Sequence, residues 1–361
     1  MKMLTGIYFP EKGIDVNSEK YFIPASNTKI FTSYYALKVL GNDHEFSSCY
    51  AIKNKKLYIK TFGNPLITQH DLLEMMDHIE EKVEEVILYC KYLHPTERPP
   101  GWCIDDIHEP YAPPVSEINY ELNRIRINAN GIFPENDFFS IVEHRGKNHI
   151  ENNKIFFNNK EFTFSPDNPE NIFEHSLSFL LKKKKVAGKN LRIYNRNFHV
   201  SCESFARHNI SEILKIMNKE SENSIAESLI LYTGMRKNQT GLKRSLRYMK
   251  KLLNEDGISG FVFYDGSGLS HYNIVTPRSI VSVLYKLIDN KIFKDSLPVG
   301  GVDGTLKNRL DSRIRAKTGT LNHVQNLSGY FEDHPFSITV NNAANVKKAR
   351  NFIDNYIRKY F

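Results

Sequence analysis

The sequence predicts a mixed α/β protein of the α+β kind, in which both ends of the chain form one domain around an inserted, mixed α/β domain. The length of 361 residues exceeds that of most single domains and fits two domains, or one domain with an insertion. Helical periodicity dominates near the N-terminus and again beyond residue 200, whereas short strand-like runs and loops lie between them. We therefore predict a first domain over 1–50 and 200–361, and an inserted domain over 51–199.

The N-terminal elements are predicted to be a strand over 4–9 and then a helix. Pro24 favours a helix start, and Gly41 marks the end of this helix just after Leu40. Apolar residues recur within it every three or four positions, so one face is expected to be buried.

The rest of the chain divides into a strand-rich stretch and a more helical one. In the insertion, strands are expected over 56–61, 86–90, 138–142, 154–157 and 191–194, and a helix over 71–81. Beyond it, helices are expected over 203–218, 223–233 and 240–254, a strand over 261–264, a helix after Pro277, strands over 314–318, 324–331 and 336–340, and a last helix over 346–360. This last helix is basic and amphipathic, so it could lie on a membrane surface or pack on a sheet, and membrane association stays open.

Composition excludes several classes of function. Apolar residues make up 40% and charged residues 25% of the chain, as in globular rather than disordered proteins. The net charge of +8 would attract polyanions, but it equally fits a solvated, lysine-rich surface. The densest basic run, 182–185, has no neighbouring aromatic residues that could stack bases, so no nucleic-acid partner is expected.

The cysteines and histidines give no sign of a metal site. The four cysteines, Cys49, Cys90, Cys103 and Cys202, lack C-x-x-C spacing and are expected to be free or buried thiols. The thirteen histidines include no H-E-x-x-H pair, so neither a metal nor another cofactor is predicted.

No segment has the roughly 20 apolar residues that span a bilayer, and the first residues lack the apolar core of a signal peptide. Either a leader has been removed, or the protein stays in the cytoplasm.

Two short motifs carry residues suited to acyl transfer. Ser26 and Lys29 form S-x-x-K at the predicted helix start, where the two side chains share a face. A serine nucleophile needs an adjacent base, which a lysine of lowered pKa can supply, and the helix start offers backbone N–H groups to an oxyanion. In Ser221-Glu-Asn223, the hydroxyl could relay a proton, and the amide could bond both a catalytic lysine and a substrate. Alone, each motif also fits a simple helix cap.

The third motif is Lys317-Thr318-Gly319-Thr320 on a predicted strand. A lysine cation and a threonine hydroxyl can hold a carboxylate, and Gly319 leaves room for a peptide against the strand. Alone, this motif also fits a strand end that leads into a turn. Together and in this order, the three motifs match the signature of β-lactamases and penicillin-binding proteins.

The sequence resembles more narrowly the class C low-molecular-mass penicillin-binding proteins, the DacB-type D-Ala-D-Ala carboxypeptidases. The gap of about 150 residues between the first two motifs also matches, since that family carries an inserted domain there. The residues that carry the resemblance are 217–227, Asp265-Gly-Ser-Gly-Leu-Ser270, 300–306, 316–321 with Gly329-Tyr330, and, within the gap, 63–65 and the block from Trp102 through Asp106 to Tyr111.

The resemblance implies a β-lactamase/transpeptidase-like fold, in which helices flank an antiparallel sheet and the insertion sits to one side. It also implies roles for the motif residues. Ser26 would attack the penultimate D-Ala of a peptidoglycan stem peptide and form an acyl-enzyme, with Lys29 as its base. Ser221 and Lys317 would pass a proton to the departing D-Ala, while Asn223 would orient the acyl chain.

The same resemblance implies how the substrate is held. The N–H groups of Ser26 and Thr320 would form the oxyanion hole. Thr318 and Thr320 would bind the terminal carboxylate, with Gly319 between them. Three residues of the insertion would help line a pocket for the side-chain amine of the peptide: Asp106, Tyr111 and Trp102.

Two residues depart from the family pattern. His271 stands where the family commonly has an arginine, so side-chain preference could depend on pH. Asn64 replaces the aspartate of the Gly-Asp-Pro segment, which is expected to affect a turn.

The family's location would be periplasmic or otherwise extracytoplasmic, and β-lactams would be covalent inhibitors. Endopeptidase activity on cross-links is expected as a second activity. Two alternatives stay open. One is a β-lactamase or esterase of the same fold, for which no deacylating base can be placed, and the other is a catalytically silent cell-wall binding protein.

Overall fold

The computed structural model describes residues 3–89 and 96–361, which form two compact units. The first unit comprises Met1–His44, Pro99–Cys103 and Asn209–Phe361, and the second comprises Glu45–Arg98 and Ile104–His208. The second unit contains most of the insertion predicted over 51–199 and extends beyond it at both ends. It leaves the short Pro99–Cys103 segment to the first unit.

A five-stranded antiparallel sheet lies at the centre of the first unit. The strands predicted over 4–9 and 324–331 are confirmed at those bounds. Ile314–Leu321 lies at one end of the sheet, and we call it the edge strand. In spatial order the strands are Ile314–Leu321, Val324–Phe331, His334–Asn341, Leu4–Phe9 and Ile14–Val16, and a separate pair joins Phe261–Val262 to Ile274–Val275.

The helices of the first unit account for most of its remaining residues. The helix expected from Pro24 begins as a one-turn 3-10 helix, Ala25–Asn27, before it becomes regular. The α-helices are Thr28–Leu40, Ile210–Lys219, Asn223–Met235, Leu242–Glu255, Pro277–Lys286, Lys291–Ser296 and Val346–Tyr360.

The C-terminal helix, Val346–Tyr360, packs its apolar face on the sheet. Ala349 and Ile353 belong to one buried hydrophobic cluster with the sheet residues Leu327 and Ile338. Packing on the sheet therefore accounts for the amphipathic pattern of this helix. Among the described residues, no helix has the length and apolar character needed to cross a membrane.

The second unit has its own sheets and its own hydrophobic core. Its five-stranded sheet has the spatial order Ala187–Asn195, Val83–Tyr89, Lys56–Lys60, Glu45–Lys53 and Glu203–Asn209. Two smaller sheets contain Ser140–Glu143, Lys154–Phe157 and His149–Glu151, and Phe162–Phe164, Ile125–Asn128 and Gly131–Phe133. Its α-helices are Gln69–Asp77 and Pro169–Lys183, and the second of these is absent from the predicted elements.

The helix predicted over 203–218 is a strand followed by a shorter helix. Phe205 and Ala206, in the strand Glu203–Asn209, are buried in the core of the second unit. Asn209 then caps the helix Ile210–Lys219, because its side chain accepts a hydrogen bond from the N–H of Glu212. The prediction was wrong because apolar spacing alone does not separate a short buried strand from the helix that follows it.

A disulfide joins Cys49 to Cys202 within the second unit, across a sequence separation of 153 residues. The expectation of free or buried thiols is therefore wrong for this pair. Spacing along the chain gave no sign of the bridge, since it depends on a contact between distant segments. Cys103 is half-buried, and Cys90 lies outside the described residues.

Asn64 is fully buried and shapes a turn in the second unit. Its side-chain oxygen accepts a hydrogen bond from the N–H of Leu66 at 3.2 Å, and its side-chain nitrogen donates to the carbonyl of Ala206 at 2.8 Å. The amide nitrogen of Asn64 supplies a donor that an ionised aspartate lacks. The effect of the replacement on the turn stays a prediction.

Candidate active site

Ser26 lies in the 3-10 turn that leads into the helix Thr28–Leu40. The preceding residue, Ala25, has a left-handed φ of 46°, which is uncommon for a residue with a side chain. Such a conformation persists only where the surroundings impose it, and it is frequent at functional sites. The serine itself is half-buried.

The strand Val324–Phe331 holds this turn from the sheet side. Asn326 donates a hydrogen bond to the carbonyl of Pro24 at 2.8 Å, and Asn27 donates to the hydroxyl of Ser328 at 2.7 Å. All of these side chains are buried, so the bonds form away from competing water. The turn that carries the serine is therefore anchored to a rigid element.

Lys29 is fully buried, and its amine makes three close contacts. Nζ lies 3.1 Å from Oγ of Ser26, 2.6 Å from Oδ1 of Asn223 and 2.7 Å from the carbonyl oxygen of Ser267. The amide and carbonyl oxygens can only accept hydrogen bonds. A neutral amine would therefore direct its two N–H groups to Asn223 and Ser267, and its lone pair to the hydroxyl of Ser26.

Burial also favours the neutral form of this amine. It lowers the pKa of Lys29 from 10.5 to about 8, and the negative charges of Asp265 and Glu227 act in the opposite direction. An amine with such a pKa is neutral in a usable fraction of molecules near neutral pH.

A second serine–lysine pair faces the same region of the first unit. Nζ of Lys317 lies 2.9 Å from Oγ of Ser221 and 3.1 Å from the carbonyl oxygen of Thr318. Burial, reinforced by the positive charge of Lys29, lowers the pKa of Lys317 well below its usual value. Ser221 precedes the helix Asn223–Met235 and has a left-handed φ of 64°. Its hydroxyl and the lysine can therefore exchange a proton directly.

The edge strand brings the third motif against the turn of Ser26. A side-chain carbon added at Gly319 would come within 2.7 Å of the carbonyl oxygen of Pro24, so only glycine fits this approach. Gly319 is buried, and Thr320 beside it is exposed.

Two further polar residues, Thr305 and Gln325, orient side chains of the edge strand by hydrogen bonds. The hydroxyl of Thr318 donates to that of Thr305 at 2.8 Å. The fully buried amide of Gln325 donates to the carbonyl of Gly319 at 2.9 Å and to the hydroxyl of Thr320 at 2.5 Å. These contacts fix the orientation of the threonines on the edge strand.

The Pro99–Cys103 segment lies against the 265–272 region of the first unit. The indole N–H of Trp102 donates to the carboxylate of Asp265 at 2.9 Å. Ser270 donates to the carbonyl of Pro100, and the N–H of His271 donates to the carbonyl of Gly101 at 3.1 Å. The segment that carries Trp102 therefore lies beside the backbone of His271, and the part of either residue in substrate binding stays a prediction.

Asp106 and Tyr111 belong to the second unit. The Tyr111 hydroxyl donates to the carboxylate of Asp106 at 2.7 Å, so the two residues form a local pair. Their part in a substrate pocket stays a prediction.

Several residues of this site received no role from the sequence. The sequence indicates these residues only weakly, because they come into contact with the motifs only when distant segments of the chain fold together. Asp265, Glu227 and Ser267 lie in segments that carried the family resemblance, as does Thr305, whereas Gln325 had no signal at all. Among the described residues, no group of three or more His, Cys, Asp or Glu side chains is placed to hold a metal ion.

Comparison with known sequences identifies a protein family and several relatives of this chain. A model of the D-Ala-D-Ala carboxypeptidase 3 (S13) family matches residues 10–141 and 157–360. The D-alanyl-D-alanine carboxypeptidase DacB of Haemophilus influenzae is 22% identical in an alignment of 376 positions that covers 88% of this chain and 78% of that protein. The D-alanyl-D-alanine carboxypeptidase of Actinomadura sp. strain R39 is 26% identical in an alignment of 379 positions that covers 85% of this chain and 70% of that protein.

Solved structures show the same fold. Penicillin binding protein 4 (dacB) from Haemophilus influenzae has a TM-score of 0.79 at 21% identity, covering 95% of this chain and 91% of that one. The same protein complexed with a beta-lactam has a TM-score of 0.72. A predatory peptidoglycan endopeptidase from Bdellovibrio bacteriovorus, Bd3459, has a TM-score of 0.61 at 16% identity, covering 99% and 92% of the two chains. The predicted transpeptidase-like fold is thereby confirmed.

Proposed function

Because this chain belongs to the D-Ala-D-Ala carboxypeptidase 3 (S13) family and is a serine-type D-Ala-D-Ala carboxypeptidase, we propose that Ser26 is its nucleophile and that peptidoglycan stem peptides are its substrate. The observation that carries this proposal is the environment of Lys29. Two of its three polar neighbours can only accept hydrogen bonds, which leaves the lone pair of a neutral amine to the hydroxyl of Ser26.

Acylation begins when Lys29 takes the proton of Ser26 and Oγ attacks the carbonyl carbon of the penultimate D-Ala. A positioned base of this kind contributes a factor of about 10² to 10⁴ in rate. The tetrahedral oxyanion is held by the backbone N–H groups of Ser26 and Thr320. Preorganised donors act strongly here, because they need no rearrangement as the charge develops.

The departing D-Ala needs a proton on its nitrogen. Ser221 supplies it, and Lys317 restores it through the 2.9 Å contact between their side chains. Asn223 bonds Lys29 and holds the acyl chain of the substrate. Water then hydrolyses the ester on Ser26 and releases the shortened peptide.

The edge strand supplies the site for the peptide and its terminal carboxylate. Gly319 leaves the strand without a side chain where a peptide would lie. Thr318 and Thr320 donate hydroxyl hydrogen bonds to the carboxylate, and the nearby charge of Lys317 adds to its attraction when protonated.

Asp106 and Tyr111, a hydrogen-bonded pair in the second unit, bind the side chain of the stem peptide. Asp106 would attract an amine, and Tyr111 would cover its aliphatic stem. His271 stands where the family commonly has an arginine, so the side-chain preference of this protein is expected to differ from that of its relatives.

Endopeptidase activity on cross-links is a second activity of the same site, because a cross-link ends in the same D-Ala–D-X bond. β-Lactams mimic the D-Ala–D-Ala end, so they acylate Ser26.

The protein acts outside the cytoplasm, in the periplasm or an equivalent compartment. The disulfide between Cys49 and Cys202 supports this location, since such bridges persist in oxidising compartments.

Labelling with a fluorescent penicillin tests the proposed nucleophile. Wild-type protein should carry a stable label, and Ser26→Ala should carry none. Ser282→Ala is the matched control, because this half-buried serine of the first unit donates to the carbonyl of Arg278 in its own helix.

The same experiment separates the alternatives. Rapid loss of the label with turnover of the penicillin would indicate a β-lactamase, and an unlabelled wild-type protein would indicate a silent binding protein. Release of free D-Ala from a muropeptide that ends in D-Ala–D-Ala then tests the substrate.

A further inference from the structure

One turn of the first unit packs against the segment that carries Ser26 and Lys29. We call residues 265–270 the support turn. Its Ser267 carbonyl accepts a hydrogen bond from Nζ of Lys29 at 2.7 Å. Its Gly268, with a φ of 85°, lies so close to Ala25 that an added side-chain carbon would be 1.8 Å from the Ala25 carbonyl oxygen. The support turn therefore contacts both the base and the residue that precedes the nucleophile.

Two buried carboxylates hold the support turn in place. Glu227, which is 1% exposed, accepts hydrogen bonds from the N–H groups of Ser267 at 2.8 Å and Gly266 at 3.0 Å. Asp265, which is fully buried, accepts from the N–H groups of Gly268 at 2.8 Å and Ser270 at 2.6 Å. Hydrogen bonds from backbone N–H groups to carboxylates are stronger than neutral ones. The conformation of the support turn thus depends on these two side chains.

We propose that Glu227 is a positioning residue for the acylation step: it holds the peptide between Gly266 and Ser267, so that the Ser267 carbonyl orients the amine of Lys29 towards Ser26. The proposal rests on the proposed function of Lys29 as the base. A carboxylate is costly to bury, and within residues 3–89 and 96–361 this one has no hydrogen bond to the nucleophile or to the edge strand. Its bonds go instead to the peptide that binds Lys29.

Charge gives Glu227 a second effect on the same lysine. Glu227 interacts electrostatically with Asp265 and Lys29. Lys29 in turn interacts with Glu222, which raises its pKa, and with Lys317, whose pKa it lowers. Burial raises the pKa of Glu227, and the neighbouring Asp265 adds to the increase. Wherever Glu227 is ionised, it raises the pKa of Lys29. Since burial and Asp265 raise the pKa of Glu227 to about 8, loss of that charge should leave a larger neutral fraction of Lys29 only near and above pH 8.

Two substitutions separate the charge from the hydrogen bonds. Glu227→Gln removes the charge and keeps one oxygen, which can accept from both N–H groups as Oε1 does now, but its NH2 group replaces the oxygen that accepts from Gly266 at 3.0 Å. Glu227→Ala removes both. The matched control is Thr233→Val in the same helix, because its buried hydroxyl has no hydrogen-bond partner among the described residues.

The measurements are the rate constant of acylation by a fluorescent penicillin as a function of pH, and kcat and KM on a D-Ala–D-Ala peptide. Glu227→Gln should acylate within about tenfold of wild type at pH 8, because it keeps an oxygen that accepts from the support turn. Glu227→Ala should lose about 100-fold in acylation rate and in kcat, with KM little changed, as expected for a displaced base. Thr233→Val should match wild type in all three.

A folded Glu227→Gln variant that loses about 100-fold or more in acylation rate would overturn the proposal, because the hydrogen bonds to the support turn would then be kept without effect. This variant carries the test even where Glu227→Ala fails to fold. A folded Glu227→Ala variant with wild-type acylation, or with a raised KM alone, would overturn it as well. Failure of the proposed function would look different, because wild type and Thr233→Val would then carry no label on Ser26.

Discussion

The pH dependence of acylation follows from the burial of Lys29. Its amine must be neutral to accept the proton of Ser26, and burial lowers its pKa to about 8. At pH 7 such an amine is neutral in about one molecule in ten, against about one in 3000 for a lysine of pKa 10.5. Burial therefore increases the reactive fraction about 300-fold.

The rate constant of acylation should rise about tenfold per pH unit below pH 8 and become constant above it. Stopped-flow measurement with a chromogenic or fluorescent β-lactam gives the profile. A range of about pH 5.5 to 9.5 brackets the pKa of Lys29. Circular dichroism over the same range shows whether the protein stays folded at each pH.

A substitution next to the amine gives the sharper test. Asn223→Asp places a carboxylate at the 2.6 Å contact with Nζ of Lys29, which should raise the pKa of Lys29 by about one to three units. The acid limb should move to higher pH by that amount, whatever happens to the maximal rate. Thr233→Val in the same helix should leave the limb in place. A profile that is flat from pH 6 to 9 in wild type, or unmoved in Asn223→Asp, would refute the assignment of Lys29 as the base.

Three other predictions concern stability and substrate binding. Replacing Cys49 and Cys202 together by serine should lower the free energy of unfolding by about 2–4 kcal/mol, measured by denaturant titration, while penicillin labelling of the folded protein persists; an unchanged stability would contradict the bridge. Thr318→Val should reduce kcat/KM on a D-Ala–D-Ala peptide about 10- to 100-fold, because it removes a hydrogen bond to a charged group. Loss of no more than twofold would argue against a contact with the carboxylate. Gly319→Ala should slow acylation by any β-lactam, since the added carbon meets a backbone oxygen at 2.7 Å, and wild-type kinetics would show that the edge strand can move away.

The sequence was most informative where a property is local. The strand Leu4–Phe9 and the helix Val346–Tyr360 appear at their predicted bounds, because their patterns depend on neighbouring residues alone. The order of the three motifs also predicted that Ser26, Lys29 and Asn223 would meet, and the structure places them in contact.

Long-range contacts explain what the sequence did not reveal. Cys49 meets Cys202 only because distant segments of the second unit fold together. The hydrogen bonds from the support turn to Glu227 likewise span about 40 positions, so no spacing rule could indicate them. The Pro99–Cys103 segment belongs to the first unit although the residues on either side of it belong to the second, and nothing in its composition predicts that.

The most direct measurement of the central claim is the site of covalent attachment. Intact protein is incubated with benzylpenicillin and digested, and the peptides are sequenced by mass spectrometry. The account predicts one penicilloyl group on the peptide that contains Ser26, assigned to that serine by fragmentation. Attachment at Ser221 or at any other residue, or a protein of unchanged mass, would contradict it.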